Sequence, residues 1–282
     1  MPFKRLDECQ AFGALIALDP HDDRVLVASE NCTQILGVSA TVLLNTPLGK
    51  VLGTEIVHAL RNVAALPFFS SQPMALGRFQ ISERLFDASA FRNDTLCVLE
   101  IEPAYEGIHN LSSDRALGAI EYLTRVIESA DTQQRLFADV AGYTRYLSGY
   151  TQVRVRALAG HQEEERPLPT LHHNIDAYAP IVFSVEDAHV PLCASEEEAV
   201  SLILSSSCTR AVSEADRALA AESGAVALMS VPLRVGERGW GVLSFENPSP
   251  RRPSPALRQV LSCVTPLLCR KLEALECGHA WS

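Results

Sequence analysis

From Leu257 to Leu275 the apolar residues Leu257, Val260, Leu261, Val264, Leu267, Leu268, Leu272 and Leu275 recur at spacings of three and four. Ser254 and Pro255 stand in front of them as an N-cap and a first-turn proline. The stripe specifies one long helix, and a helix with a continuous apolar face needs a second surface to cover it. The same spacing recurs in Leu117, Ile120, Leu123, Val126 and Ile127. After a break at Ser129-Ala130-Asp131 it returns in Leu136, Val140, Tyr143 and Leu147. Val153–Leu158, Val226–Arg234 and Trp240–Glu246 read as strands, the last two joined by the hairpin segment Val235-Gly236-Glu237-Arg238-Gly239. Ser195-Glu196-Glu197-Glu198 and Ser213-Glu214-Ala215-Asp216 read as capping boxes. Their carboxylates suit the positive end of a helix dipole better than acid–base chemistry. His161–Asn174, charged and proline-bearing, reads as a mobile loop.

The first hundred residues have another rhythm. Gly13–Asp19 and Arg24–Ser29 are apolar segments joined by Pro20-His21-Asp22-Asp23, a turn composition. Asn31 precedes a short helix ending near Gly37, Ser39 caps a second over Ala40–Leu44, and Thr54–Val63 is a third. Met74–Ile81 and Leu96–Ile101 return to strand character around a polar loop, Asp87–Asp94, and the pattern closes near Pro103. Tyr105–Asp114 has the composition of a linker. The fold class is therefore α+β, in two domains: residues 1–104, a linker over 105–115, and residues 116–282.

Lys and Arg number 24 against 34 Asp and Glu, a net charge of −10. Residues 1–110 hold 8 basic and 13 acidic side chains and the remainder 16 and 21, so neither half is basic. Nucleic acid, which demands gathered cations, is excluded as a partner. The longest apolar runs, Ala11–Leu18 and Val63–Phe69, are far shorter than the roughly 20 residues that cross a bilayer. Asp7 and Glu8 interrupt the N-terminal stretch, and no small-residue cleavage site follows it, so the expected location is the cytoplasm, away from membranes. The 8 cysteines show no paired spacing and read as reduced core thiols.

Gly13-Ala14-Leu15-Ile16-Ala17-Leu18-Asp19, leading to Val25-Leu26-Val27-Ala28-Ser29-Glu30-Asn31, resembles the opening of the PAS domain of bacterial phytochromes. Phe86-Asp87-Ala88-Ser89-Ala90-Phe91-Arg92-Asn93-Asp94, followed by Val98-Leu99-Glu100-Ile101-Glu102-Pro103, resembles its end. The second half is similar to the phytochrome GAF domain through Arg210-Ala211-Val212-Ser213, Ser223-Gly224-Ala225, Ser230-Val231-Pro232-Leu233, Gly239-Trp240-Gly241-Val242-Leu243 and Ser249-Pro250-Arg251-Arg252. The resemblance implies a PAS domain over 1–104 and a GAF domain over 116–282. Each would be an antiparallel sheet with flanking helices.

Members of that family hold a linear tetrapyrrole in the GAF pocket, in the bacterial type through a cysteine upstream of the PAS domain. Cys9 lies too close to Gly13 to match that position, so no covalent attachment is expected. The family's Pro-Ala-Ser-Asp-Ile-Pro segment has no counterpart between Asn174 and Pro191. By ungapped reading, Asp216 and Asn247 occupy the positions of the two histidines that line the bilin, and Arg210 keeps the position facing a propionate. Arg210 either serves a ligand carboxylate or closes an emptied pocket by pairing with Asp216 or Glu246.

No PHY domain, kinase, cyclase or phosphodiesterase pattern follows. The resemblance thus implies a non-catalytic sensory protein with an eroded pocket, signalling through an unidentified partner. It also implies a homodimer whose helix bundle uses Leu261, Leu268 and Leu272. The alternatives are a photoreceptor holding a bilin, biliverdin, non-covalently, and a GAF-type methionine sulfoxide reductase using Cys193 and Cys208. His161, His172, His173 and His189, with Asp176 and Asp187, fit no compact metal motif.

Overall fold

A computed structural model describes the chain except for residues 1–2, 68, 108, 158–180, 185–187, 196–201, 203, 213, 223, 237 and 279–282. Two compact units emerge: Met1–Tyr105 together with Asp187–Ala211, and Glu106–Glu186 together with Val212–Ser282. The sequence assigned 187–211 to the second domain, but this segment folds into the first.

The first unit is built on seven antiparallel strands: β1 (Phe3–Gln10), β2 (Ala14–Leu18), β3 (Val25–Ser29), β4 (Met74–Ile81), β5 (Arg84–Asn93), β6 (Leu96–Pro103) and β9 (His189–Ser195). Their order is β1-β9-β3-β2-β6-β5-β4. The late strand β9 lies between the first strand and the third. Helices α1 (Cys32–Leu36), α2 (Ala40–Leu43), α3 (Gly49–Leu52) and α4 (Thr54–Ala64) supply Leu36, Leu43, Leu52, Ile56 and Leu60 to a core with Ile16, Leu18, Val25 and Phe86. A second apolar cluster collects Cys9, Leu15, Ala17, Val27, Phe91, Val98 and Leu192. Alternate residues of β2 serve the two clusters, and β3 divides between them, Val25 and Ala28 to the first and Leu26 and Val27 to the second, which is why both strands read as unbroken apolar runs.

Asp87–Asp94, expected as a loop, belongs to β5, paired with β6 from Phe86↔Pro103 to Asn93↔Leu96. Its polar residues alternate with inward Phe86, Ala88 and Ala90, and Asp87 takes a cross-strand partner in Arg78 at 2.8 Å. Ser39 sits at the N-cap of α2 but makes no side-chain cap; its hydroxyl pairs with Thr41 instead. Asn31 likewise leaves α1 uncapped, and its amide donates to the carbonyls of Ala11 and Gly13.

The second unit has the sheet order β7-β11-β10-β8, with β7 (Gln152–Ala157), β8 (Ile181–Ser184), β10 (Ala227–Val235) and β11 (Arg238–Asn247). Gly236 turns the β10–β11 hairpin at φ +57°, a conformation that favours glycine. Helices α5 (Ser113–Ser129), α6 (Gln133–Ser148), α7 (Glu214–Glu222) and α8 (Pro255–Glu276) complete it. Ser254 caps α8, accepting from Leu257 N at 3.2 Å, as the sequence predicts. The capping box at Ser195 falls outside the described residues beyond that serine.

Leu261, Leu268 and Leu272 are 1%, 1% and 0% exposed. They belong to this unit's own core, where α8 packs on α5 and β10. This corrects their placement in a seam between subunits. Each buried leucine contributes about 1.5 to 3 kcal/mol, and the face is spent on folding.

Candidate functional site

Arg210 follows the short turn Leu204–Ser206 in the first unit and forms an isolated bridge with Cys9. It is 5% exposed, and its Nη1 donates to the carbonyl of Ser207 at 2.5 Å. Removal from water pushes the guanidinium down to about 10, against the upward pull of Cys208 and Glu100. Its backbone is held too: Gln10 Nε2 donates to Arg210 O at 2.9 Å, and Gln10 N to Thr209 O at 2.7 Å.

Glu100 on β6 is the acceptor at the centre of this region. Its Oε1 accepts from Ser207 Oγ at 2.7 Å, Thr209 Oγ1 at 2.9 Å and Thr209 N at 3.0 Å. Oε2 is buried without a hydrogen-bond partner among the described residues. The carboxylate favours the charged form of Arg210 within the apolar surroundings of the first unit. The sequence carried one signal of this: a glutamate inside the apolar strand Val98-Leu99-Glu100-Ile101, where an unpaired charge would be prohibitive.

In the second unit Asp216 falls in the first turn of α7. Asn247 ends β11 at 4% exposure, with both ends of its amide engaged. Oδ1 accepts from Thr151 Oγ1 at 2.8 Å and Thr151 N at 3.2 Å, while Nδ2 donates to Ser249 O at 2.8 Å and Ser249 Oγ at 2.9 Å. Such an amide ties the start of β7 to the segment after β11. Glu246 takes Arg156 of β7 as its partner at 2.6 Å and accepts from Ser244 at 3.1 Å. The sequence offered this glutamate to Arg210 and gave no hint of Arg156, which lies ninety residues away.

Cys9 and Cys32 are wholly buried, and both engage the Ser29 hydroxyl. Burial, with Cys32 and Glu100 nearby, pushes the Cys9 thiol up to about 12; burial pushes Cys32 up to about 11. A thiol held protonated is a poor nucleophile. Cys193 and Cys208 are buried in the first unit, and Cys193 Sγ lies 3.5 Å from Glu30 Oε1, a carboxylate rather than a cation. For Cys193 that is the wrong setting for a reductase thiolate. His189 pairs with Glu8 at 3.4 Å; the other histidines of the metal question, with Asp176 and Asp187, lie outside the described residues. No group of three metal-binding side chains occurs among the described residues. No helix among them is long and apolar enough to cross a membrane.

Residues 2–104 match the family model described as PAS fold. Over the whole chain the architecture is that of phytochrome chromophore-binding modules. The chromophore-binding domain of Stigmatella aurantiaca phytochrome P1 superposes with a TM-score of 0.78 at 20% identity, over 96% of this chain and 97% of that one. That of an unusual bacteriophytochrome from R. palustris gives 0.77 at 20% identity, over 96% and 95%. The photosensory core module of the Stigmatella aurantiaca phytochrome gives 0.81 at 19% identity, over 98% of this chain and 59% of that one. A comparison with curated proteins finds no match. The chain thus has a phytochrome-like PAS-GAF fold.

Proposed function

We propose that this chain is a cytoplasmic, non-catalytic PAS-GAF module that takes part in signal transduction by protein–protein contact. It acts as a homodimer on an unidentified signalling partner, and its bilin pocket is eroded. The observation that carries the reading is Asn247. Where the family resemblance implies a histidine facing the chromophore, the amide spends both ends on Thr151 and Ser249. Arg210 supports it, being buried and directed at its own turn. So does Cys9, whose protonated, enclosed thiol cannot attack a vinyl group. The described cysteines are all free, in keeping with a reducing compartment.

The second reading, a photoreceptor holding a bilin such as biliverdin without a covalent bond, is favoured by one observation. The solved structures that this chain resembles over nearly its whole length are chromophore-binding domains.

Incubation with biliverdin followed by an absorbance scan and a melting curve separates the two. The expected result is neither a red-shifted band nor a higher melting temperature, and no zinc-dependent fluorescent band on a denaturing gel. A melting-temperature rise that disappears in Arg210→Ala establishes the second reading, because a ligand stabilises only the state that binds it. A fluorescent band surviving denaturation overturns the assignment of Cys9.

A further inference from the structure

We infer that His109 latches the stretch leading into α5 onto the C-terminal end of α6, and that acid releases it.

Polar composition marks residues 105–115 as a linker, yet the stretch is built. Asn110 N donates to Gly107 O at 2.9 Å and closes a turn with His109 inside it. Leu111 is buried, and Ser112 caps α5 by accepting from Arg115 N at 3.4 Å. Between turn and cap, the His109 imidazole lies against Gly149, the C-cap of α6, and donates to the carbonyl of Leu147.

The end of α6 explains the seat. The last carbonyls of a helix have no intrahelical partner, so other groups must serve them. Gly149 leaves the helix at φ +65° and gives its N–H to Arg145 O at 2.9 Å. Arg251 Nη1 serves Ser148 O at 3.2 Å, and its own carbonyl accepts from the hydroxyl of buried Tyr150 at 3.2 Å. His109 serves Leu147. A Cβ at position 149 would overlap the imidazole, so the glycine is needed twice, for the left-handed backbone and for the space the ring fills.

A helix C-terminus ordinarily welcomes a cation. Here cations are already in place: Arg251, from the segment after β11, and Arg115, from the first turn of α5, both act on the ring, and no carboxylate among the described residues offsets them. Burial first, then these two arginines, hold the imidazole below its ordinary value of 6.5, and the Leu147 carbonyl restores only part of the difference. The closed latch therefore holds a neutral ring with one N–H on Leu147. Released into water, the ring titrates near 6.5. Below that pH the open form binds a proton more readily than the closed form, so acid shifts the balance toward release. Ser112 keeps its cap throughout, and the chain then enters α5 through a slack segment instead of a pinned one.

Hydrogen exchange of the full chain, each rate taken relative to the intrinsic rate at the same pH, tests this from about pH 7.5 to about 5.5, a range that brackets histidine. Protection of residues 106–112 should fall at least about threefold in the wild type while the β10–β11 hairpin keeps its own, which separates release from general unfolding. His109→Gln retains an N–H donor and cannot titrate, so its segment should stay protected at both ends of the range. The His109 ring resonances, identified by their loss in that variant, should titrate below 6.5, and Arg251→Met should raise their midpoint. Protection that does not fall in the wild type, or that falls equally in His109→Gln, overturns the latch, as does a midpoint at or above 6.5. If His109→Gln is unprotected at both ends, the ring is the latch and the Arg251→Met midpoint decides the rest: a rise supports acid release, and an unchanged value overturns it.

Discussion

Glu100 and Asn247 are both 4% exposed and both stand on sheet strands, one in each unit, but they are satisfied differently. Asn247 is neutral and balanced, two donors received and two acceptors reached. Glu100 is lopsided: three donors converge on one oxygen while the other has none among the described residues. A neutral amide closes a loop at little electrostatic cost. A buried carboxylate is costly unless its surroundings are arranged for it, and the arrangement here is the segment Ser207–Arg210, more than a hundred residues downstream. Both groups join segments about a hundred residues apart, but the neutral amide does so at little electrostatic cost, whereas the buried carboxylate makes the first unit depend on the segment that satisfies it.

The severest way to break this contrast is to remove the distant segment. A fragment of residues 1–105 lacks β9, which in the full chain pairs with β1 on one side and β3 on the other. It should melt broadly by circular dichroism, with few dispersed amide resonances. A sharp transition like that of the full chain would show that the first unit does not depend on β9.

Single substitutions sharpen the contrast. Glu100→Ala removes the acceptor of three buried donors; Thr209 N keeps Ser207 Oγ at 3.1 Å and the two hydroxyls keep each other at 3.0 Å, so at least one donor is orphaned and the variant should cost about 2 to 3 kcal/mol in urea unfolding. Glu100→Gln keeps an acceptor and should recover more than half of that. Asn247→Ala should cost only about 1 to 2 kcal/mol, because Thr151 and Ser249 lie at a junction where water replaces the amide. Equal costs at the two sites would erase the distinction.

The smallest effect is one of pH, and it too belongs to the first unit. Cys9 and Cys32 titrate near 9.0 when unperturbed and at about 12 and about 11 when folded. Between pH 9 and 10 the unfolded chain releases protons that the folded chain keeps, so stability falls as pH rises, by about 1 kcal/mol per thiol. Arg210, lowered to about 10, acts in the opposite direction but only above that pH. Cys9→Ala should flatten the decline measured by urea unfolding at pH 8, 9 and 10. An unchanged slope would mean that Cys9 titrates alike in both states.

The sequence made the regular elements legible wherever one period dominated. β4 was legible at Met74–Ile81, the helix at Thr54 to within a residue, and α8 through both its cap and its stripe. β5 was not, because its outward residues are polar and its inward ones include two small alanines, which weakens the alternation. β1 was invisible for another reason: its partner lies some 185 residues away, and its own residues, Lys4 to Glu8, are mostly charged. The leucines of α8 show the general limit. Periodicity declares that a face is covered, and is silent on whether the cover comes from the same chain. At the site, residue type located Arg210 and Asn247, but their commitments to Ser207, Thr151 and Ser249 are set by backbone turns that no spacing encodes.

The place of β9 also sets a clock. A ribosome that has released Tyr105 must add residues 106–195, ninety more, before β3 can acquire its neighbour. At about 5 to 20 residues per second that is roughly 5 to 20 s, far longer than a strand needs to find a wrong partner. Throughout that interval the apolar edge of Val25-Leu26-Val27-Ala28-Ser29 stands open on the nascent chain, so high expression at elevated temperature should favour aggregation through this strand, and slower synthesis should favour soluble protein.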